Sequence, residues 1–221
     1  MNEIEVIRAR HSVRAYQEKK IEQEKIDKLK ELIEKVNQEG DLHLQYVEDA
    51  GNTFKRLLSR FMGLASAPSI IACIGKDDES LEERIGFYGE KVVLAAQSMG
   101  LNTCWAGTFN KNHVPAEVRD GERLCIVIAV GYGENPGRVR RSKRMEQVSQ
   151  AVGKRPYWFD FGVEMALLAP TAINQQNFLI RLNCDETVEF VDKGGPFSKV
   201  DLGIVRCHFE IGAEYAKEND L

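Results

Sequence analysis

Residues 168–182 read Leu-Ala-Pro-Thr-Ala-Ile-Asn-Gln-Gln-Asn-Phe-Leu-Ile-Arg-Leu, and the change of character inside them decides how the chain is read. Pro170 fixes its own φ and disfavours helix in the residue before it, so the apolar run ending at Leu168 has to turn here. Phe178 to Leu182 then has the short apolar composition of a strand. Between the two lie the amides Asn174, Gln175, Gln176 and Asn177. Amides between a helix and an apolar strand put donors and acceptors at the lip of a core, where the edge of a heterocycle can be read. A polar loop that caps the strand has the same composition.

Working outward, Trp158 to Leu168 has helical spacing, Thr187 to Val191 suits a hairpin partner for the strand, and Asp201 to Tyr215 reads as a final helix. Farther upstream, Ile21, Ile26, Leu29, Ile33 and Val36 recur near a 3.6-residue period among Glu and Lys, which predicts an amphipathic helix over 21–37. His43 to Val47 alternates as a strand does. Gly51 and Asn52 then introduce a short helix carrying Phe54, Leu57, Leu58 and Phe61. A turn at Ala67-Pro68 leads into the buried strand SIIACIG, residues 69–75. From Ser80 to Met99 the pattern is helical, with Ile85, Tyr88, Val92, Ala95 and Ala96 inward and Gly100 where a left-handed C-terminal residue is wanted. Leu124 to Val130 is a further strand, giving about five or six in all.

The run RVRRSKR at 138–144, bracketed by Gly133, Pro136 and Gly137, is the best linker candidate. On its two sides the order of features repeats. Each side has an Ala-Pro turn feeding a strand (SAPSIIACI at 66–74, LAPTAINQQNFLIRL at 168–182), then a helix entered near a glycine (88–97 and 201–210). That order reads as a degenerate internal duplication, with residues 1–137 as the first half and 138–221 as the second.

A chain of 221 residues with 43% apolar and 29% charged residues can bury a substantial core. Its formal net charge of −4 argues against general nucleic-acid or membrane-surface binding. The start, MNEIEVIRARHS, lacks the pattern of a secretory signal, and no apolar run approaches the roughly 20 residues of a membrane span, so a cytoplasmic protein is expected. Cys73, Cys104, Cys125, Cys184 and Cys207 include no CxxC pair and read as core filling, with no metal site.

Three other segments can carry chemistry. In Arg10-His11-Ser12-Val13-Arg14, strand alternation sends Arg10, Ser12 and Arg14 to one side, where two guanidinium forks and a hydroxyl suit a phosphate. On their own, two arginines and a serine near a terminus more often describe a solvated face. The stretch from Gly100 to Asn110 holds small residues that let a backbone N–H approach a flat ligand, with Trp105 either a ligand wall or a core plug. The basic run, Arg138, Arg140, Arg141, Lys143 and Arg144, is either a solvated linker or a closure over a phosphate.

RHSVRAY near the N-terminus, the APxxxNxQ turn at 169–176, a helix ending in GLNTCWAG, and the strand IVIAVGYGENP followed by Arg and Lys occur in one chain. In combination they resemble the FMN-dependent nitroreductase superfamily, over residues 4–16, 86–110, 124–145 and 168–182. The resemblance implies an α+β fold: a mixed, mainly antiparallel sheet with helices on both faces. It implies FMN as cofactor, NADH or NADPH as co-substrate, and a ping-pong cycle that reduces a nitro compound, quinone or similar small acceptor. In most members the amide turn follows the arginine motif within one half, and FMN is shared across a homodimer. Here the first-half turn Ala67-Pro68-Ser69-Ile70-Ile71 lacks the amides and the second half lacks the arginines, so the chain is similar to the tandem-repeat group, a fused pseudo-dimer able to act as a monomer.

By that resemblance Arg10, Ser12 and Arg14 would bind the FMN phosphate and ribityl chain, with His11 beside them and Lys143 or a neighbouring arginine completing the clamp. Pro170, Thr171, Ala172, Asn174 and Gln176 would line the isoalloxazine ring, and the backbone around Ala106, Gly107 and Thr108 would face its N5, with Trp105 a candidate wall of the same site. No side-chain acid or base is required, because the flavin carries the chemistry. Two alternatives are a flavin enzyme of the same fold with another acceptor (dehalogenation, flavin fragmentation) and a flavin-binding protein without turnover. The stretch 41–61 is expected to cover the pocket.

Overall fold

The computed structural model describes residues 1–49, 53, 54 and 67–220. The expected short helix bearing Leu57, Leu58 and Phe61 lies outside them. The chain divides into two compact units: one comprises residues 10–81 and 91–139, the other residues 1–9, 82–90 and 140–221.

The first of these is built on a four-stranded, wholly antiparallel sheet. Its strands are β1 (Gln45–Glu48), β2 (Ser69–Lys76), β3 (Asn102–Ala106) and β4 (Glu122–Gly131), in the order β1-β2-β4-β3. β2 and β4 are apolar nearly throughout and buried along almost their whole length, as the central strands of a sheet should be. A register shift between Cys73 and Ile74 marks a bulge in β2. Tyr16, Phe54, Ile70, Ala72, Ile74, Cys104, Phe109, Val127 and Ala129 form the core on one side. The helix expected over 21–37 is α2 (Gln23–Gly40), which follows α1 (Glu3–Ala9), and it buries Ile26, Leu29, Ile33 and Val36.

The second unit holds α1, α4 (Met145–Val148), β5 (Ser149–Ala151), α5 (Tyr157–Ala166), β6 (Phe178–Leu182), β7 (Val188–Asp192) and α6 (Ser198–Glu218). Its sheet, in the order β5-β6-β7, is mixed: β5 runs parallel to β6, and β6 and β7 are the expected antiparallel pair. The helix α3 (Leu81–Ser98) gives residues 82–90 to this unit and 91–98 to the other. It ends as expected, with Gly100 at φ +75°. The architecture is therefore α+β with mainly antiparallel pairing.

The described residues hold seven strands rather than five or six. The two additions are short. β3 lies in the small-residue stretch from Gly100 to Asn110, and its strand character comes from pairing along β4, Asn102 opposite Gly131 through Ala106 opposite Val127, rather than from clean alternation. β5 has three residues and exists by pairing with β6. Among the described residues no helix is long and apolar enough to cross a membrane.

Candidate functional site

The arginine motif follows α1 and is laid along the edge of the first sheet. Ser12 bridges Thr103 in parallel fashion, and the Val13 N–H donates to the Thr103 carbonyl oxygen at 3.0 Å. Three residues on, Tyr16 bridges Gly133 and its hydroxyl donates to the Ala129 carbonyl oxygen at 3.4 Å. Val13 and Tyr16 are buried anchors, and Gly137, at φ +84°, closes over the segment: a Cβ there would stand 2.6 Å from the His11 Cβ. Arg10 is 5% exposed while Arg14 is open to solvent, with His11 and Ser12 between these extremes.

Both arginines act on the same thiol. Burial raises the Cys104 pKa, and Arg14 and then Arg10 pull it back. Burial, with Cys104 beside it, also pushes the Tyr16 phenol well up, against the pull of Arg14. The charges of both arginines thus reach the middle of β3. Trp105 is half-buried, Ala106 is buried, and Gly107 and Thr108 follow half-buried beyond the strand end.

The amide turn in the other unit is built around backbone that few residues adopt. Ile173 (φ +47°), Asn174 (φ +57°) and Gln176 (φ +44°) all lie in the left-handed region. Each such residue costs roughly 1–2 kcal/mol, and the penalty is heaviest for β-branched Ile173. Ile173 is also 87% exposed, so no packing of its own side chain holds it there. The conformation is maintained by tethers from other segments.

Gln176, 2% exposed, is the central knot. Its Nε2 donates to Ser142 Oγ and the Leu167 carbonyl oxygen, each at 3.0 Å, and its Oε1 accepts from the Lys143 N–H at 2.7 Å. The Lys143 ammonium donates to the Gln176 carbonyl oxygen at 2.9 Å and to Asn177 Oδ1 at 3.3 Å. The Arg140 guanidinium caps the carbonyl oxygens of Leu168 and Ala169 at 2.5 and 2.6 Å. Part of the basic run is therefore a brace for the turn, while Arg138, Arg141 and Arg144 remain exposed.

On the opposite side Asp201, in the first turn of α6, accepts from the Ala172 N–H with both oxygens at 3.0 Å and from Gln175 Nε2 at 2.8 Å. Sequence reading missed Asp201, Arg140 and Ser142 as determinants of this turn. Asp201 reads only as the acidic start of a helix, and the partners of a carboxylate 26 to 29 residues away leave no local signal.

Asn174 is the residue that the turn presents. Its Nδ2 donates to the Arg141 carbonyl oxygen at 2.8 Å, but its Oδ1 is buried with no hydrogen-bond partner among the described residues. A buried carbonyl without a donor costs about 1–3 kcal/mol, and an incoming N–H would relieve it. Pro170 is buried at the base of the turn, and Thr171 Oγ accepts from the Gln176 N–H at 3.1 Å. No cluster of His, Cys, Asp or Glu among the described residues is arranged to hold a metal ion.

The family model described as "Putative TM nitroreductase" matches residues 2–213. The chain therefore belongs to that nitroreductase family, and its class is that of an oxidoreductase. Among solved structures, a protein described as a putative nitroreductase from Thermotoga maritima matches with a TM-score of 0.70 at 23% identity, covering 99% of this chain and 86% of its own. A putative nitroreductase in complex with FMN from Desulfovibrio desulfuricans matches with a TM-score of 0.54 at 17% identity, over 71% of this chain and 98% of the other. A protein described as a putative NADH dehydrogenase/NAD(P)H nitroreductase from Parabacteroides distasonis gives 0.52 at 23% identity, over 67% of this chain and 96% of the other. At these identities the structural likeness speaks for the fold. No curated protein sequence matches significantly.

Proposed function

We propose that this protein binds FMN and passes electrons from NADH or NADPH to a small organic acceptor such as a nitro compound or quinone. The observation that carries the reading is Asn174 Oδ1, a buried acceptor left without a donor in the turn that the family uses to read its flavin. The uracil-like edge of an isoalloxazine ring presents one N–H between two carbonyl groups, which is the donor such an oxygen lacks. Thr171 and Ala172 would line the same ring edge, with Pro170 fixing the backbone behind them.

Arg14 and Ser12, backed by buried Arg10, would take the phosphate and ribityl hydroxyls. Exposed Arg138 or Arg141 would complete that clamp in preference to Lys143, whose ammonium is committed to Gln176 and Asn177. Backbone N–H groups at Ala106, Gly107 and Thr108 would face the ring, with half-buried Trp105 as a wall. Bound FMN supplies the redox chemistry, so the protein has to bind it, orient it and hold charge near it. A cation close to the ring favours its reduced, anionic form, and Arg14 is the candidate. With both sets of residues in one chain, this reading makes the protein a fused counterpart of the family's homodimer and active as a monomer.

The test is the visible spectrum of protein purified without added cofactor, followed by steady-state oxidation of NADH and NADPH with a quinone or nitroaromatic acceptor. Flavin bands that leave the protein on denaturation, together with turnover, are the expected result. A colourless protein that takes up no FMN would overturn the reading, and a yellow one without turnover would favour a flavin-binding role.

A further inference from the structure

We infer that Asp201 is a positioning residue for flavin recognition: by bridging Ala172 and Gln175 it staples the left-handed pair Ile173-Asn174 that aims the Asn174 carbonyl. This rests on the FMN reading above and adds to it a residue that never touches the cofactor.

The geometry is that of a clasp. Ala172 and Gln175 are the residues immediately before and after the left-handed pair, and one carboxylate holds both, through the Ala172 N–H and through Gln175 Nε2. Gln175 Nε2 also donates to the Pro196 carbonyl oxygen at 2.9 Å, and the Gln175 amide packs so closely on Gly195 that a Cβ there would stand 2.4 Å from Gln175 Oε1. Asp201 therefore fastens the turn to the entry of α6. The carboxylate is 7% exposed and does no capping for its own helix: the Asp201 N–H bonds the Phe197 carbonyl oxygen, and the Asp201 oxygens work on the turn. The N-terminal end of a 21-residue helix favours a negative charge at that point.

The electrostatics separate this role from plain structural support. Burial raises the Asp201 carboxyl to about 6, although the Gln175 and Ala172 hydrogen bonds favour its ionised form. Of the charges facing it, Asp192 at the end of β7 opposes ionisation and Arg140 favours it. A carboxyl whose folded value is raised contributes stability below its unfolded value and loses that contribution as pH rises through the folded one. At neutral pH the ionised form is thus held at the expense of global stability, while it is the form that accepts most strongly from Ala172 and Gln175.

The experiment compares wild type with Asp201→Asn in the cofactor-free protein, by hydrogen exchange of residues 171–177 corrected for intrinsic rates, by thermal unfolding, and then by FMN titration. At pH 8 the variant is expected to exchange faster in the turn alone, to unfold at the same or a higher temperature, and to bind FMN about tenfold more weakly. Lowering the pH of wild type from 8 to 5 is expected to loosen the turn as the substitution does, while the variant stays flat. Unchanged turn protection in the variant would overturn the staple. A lowered unfolding temperature with faster exchange throughout would overturn the positioning role in favour of a fold residue. A loosened turn in a protein whose wild type takes up no FMN would sink the flavin reading and leave the staple intact.

Discussion

His208 Nε2 lies 2.8 Å from Glu90 Oε1 with both side chains fully buried, and the His208 Nδ1 faces the Met165 carbonyl oxygen at 3.2 Å. A carbonyl oxygen only accepts, so Nδ1 carries a hydrogen. The Nε2 to Glu90 contact then needs one further proton, carried by the ring or by the carboxyl. The pair links α3, α5 and α6, and a helix interior holds such a Glu only with a partner.

Removing the ring takes from the buried carboxyl its His208 partner. His208→Leu is expected to cost roughly 3–5 kcal/mol, whereas Glu90→Gln, which lets the amide donate to Nε2, should cost about 1 kcal/mol. The Glu90→Leu/His208→Leu double variant should recover much of the single loss. Urea denaturation of wild type, His208→Leu, Glu90→Leu, Glu90→Gln and the double variant checks this, and strictly additive losses for the two leucine changes would refute the shared proton.

Near the same pair α3 and α6 meet backbone to backbone. A Cβ on Gly86 would stand 2.1 Å from the Val200 carbonyl oxygen, and one on Gly203 would stand 2.0 Å from the Glu83 carbonyl oxygen. Alanine raises helix propensity by about 1 kcal/mol, but neither backbone can yield, so Gly86→Ala and Gly203→Ala are each expected to destabilise by about 3 kcal/mol or more. A neutral or raised melting temperature for either would show that the helices part at no cost.

In the four-stranded unit Glu122 accepts from His43 Nδ1 at 2.8 Å and from the Arg119 N–H at 2.9 Å. Burial opposes its ionisation, but these bonds outweigh it and hold the carboxyl below its ordinary value. A depressed carboxyl contributes stability above its unfolded value and loses it as pH falls through the folded one. Glu122→Gln should therefore lower stability at pH 7 by roughly 1–2 kcal/mol and match wild type only once the pH has fallen below the carboxyl's depressed folded value. A gap that persists in acid would assign the effect to packing.

Arg14 is exposed, so Arg14→Ala should change stability by no more than about 0.5 kcal/mol. If it grips phosphate, the same change weakens FMN at least about tenfold, and Arg10→Ala/Arg14→Ala releases FMN with the circular dichroism of the fold retained. Stoichiometric flavin in the double variant would remove the phosphate assignment.

How much was legible in advance follows from how local each signal is. Ile26, Leu29, Ile33 and Val36 announced their buried face because a 3.6-residue period needs no partner to be recognised. Phe178 to Leu182 gave its strand to the residue, being apolar and bounded by a turn. Asn102 to Ala106 did not, since its strand exists through the register with β4. Of the candidate site, Arg10, Ser12, Arg14, Asn174 and Gln176 are legible in the sequence as members of motifs. That Gln176 and Lys143 spend their polar atoms bracing the turn was not, because a side chain's partners are a property of space.

From its amino acids alone this chain determined its longer helices among the described residues, its longer strands, several of the places where it turns, and the motifs that mark a nitroreductase, all of which depend on neighbours in sequence. The tertiary structure decided which carboxylate fastens the turn, which arginine is buried, which histidine shares a proton, and why Gly86 and Gly203 are glycines. Those outcomes depend on distances between residues far apart along the backbone, and hydrogen bonds and close contacts act only over a few ångströms.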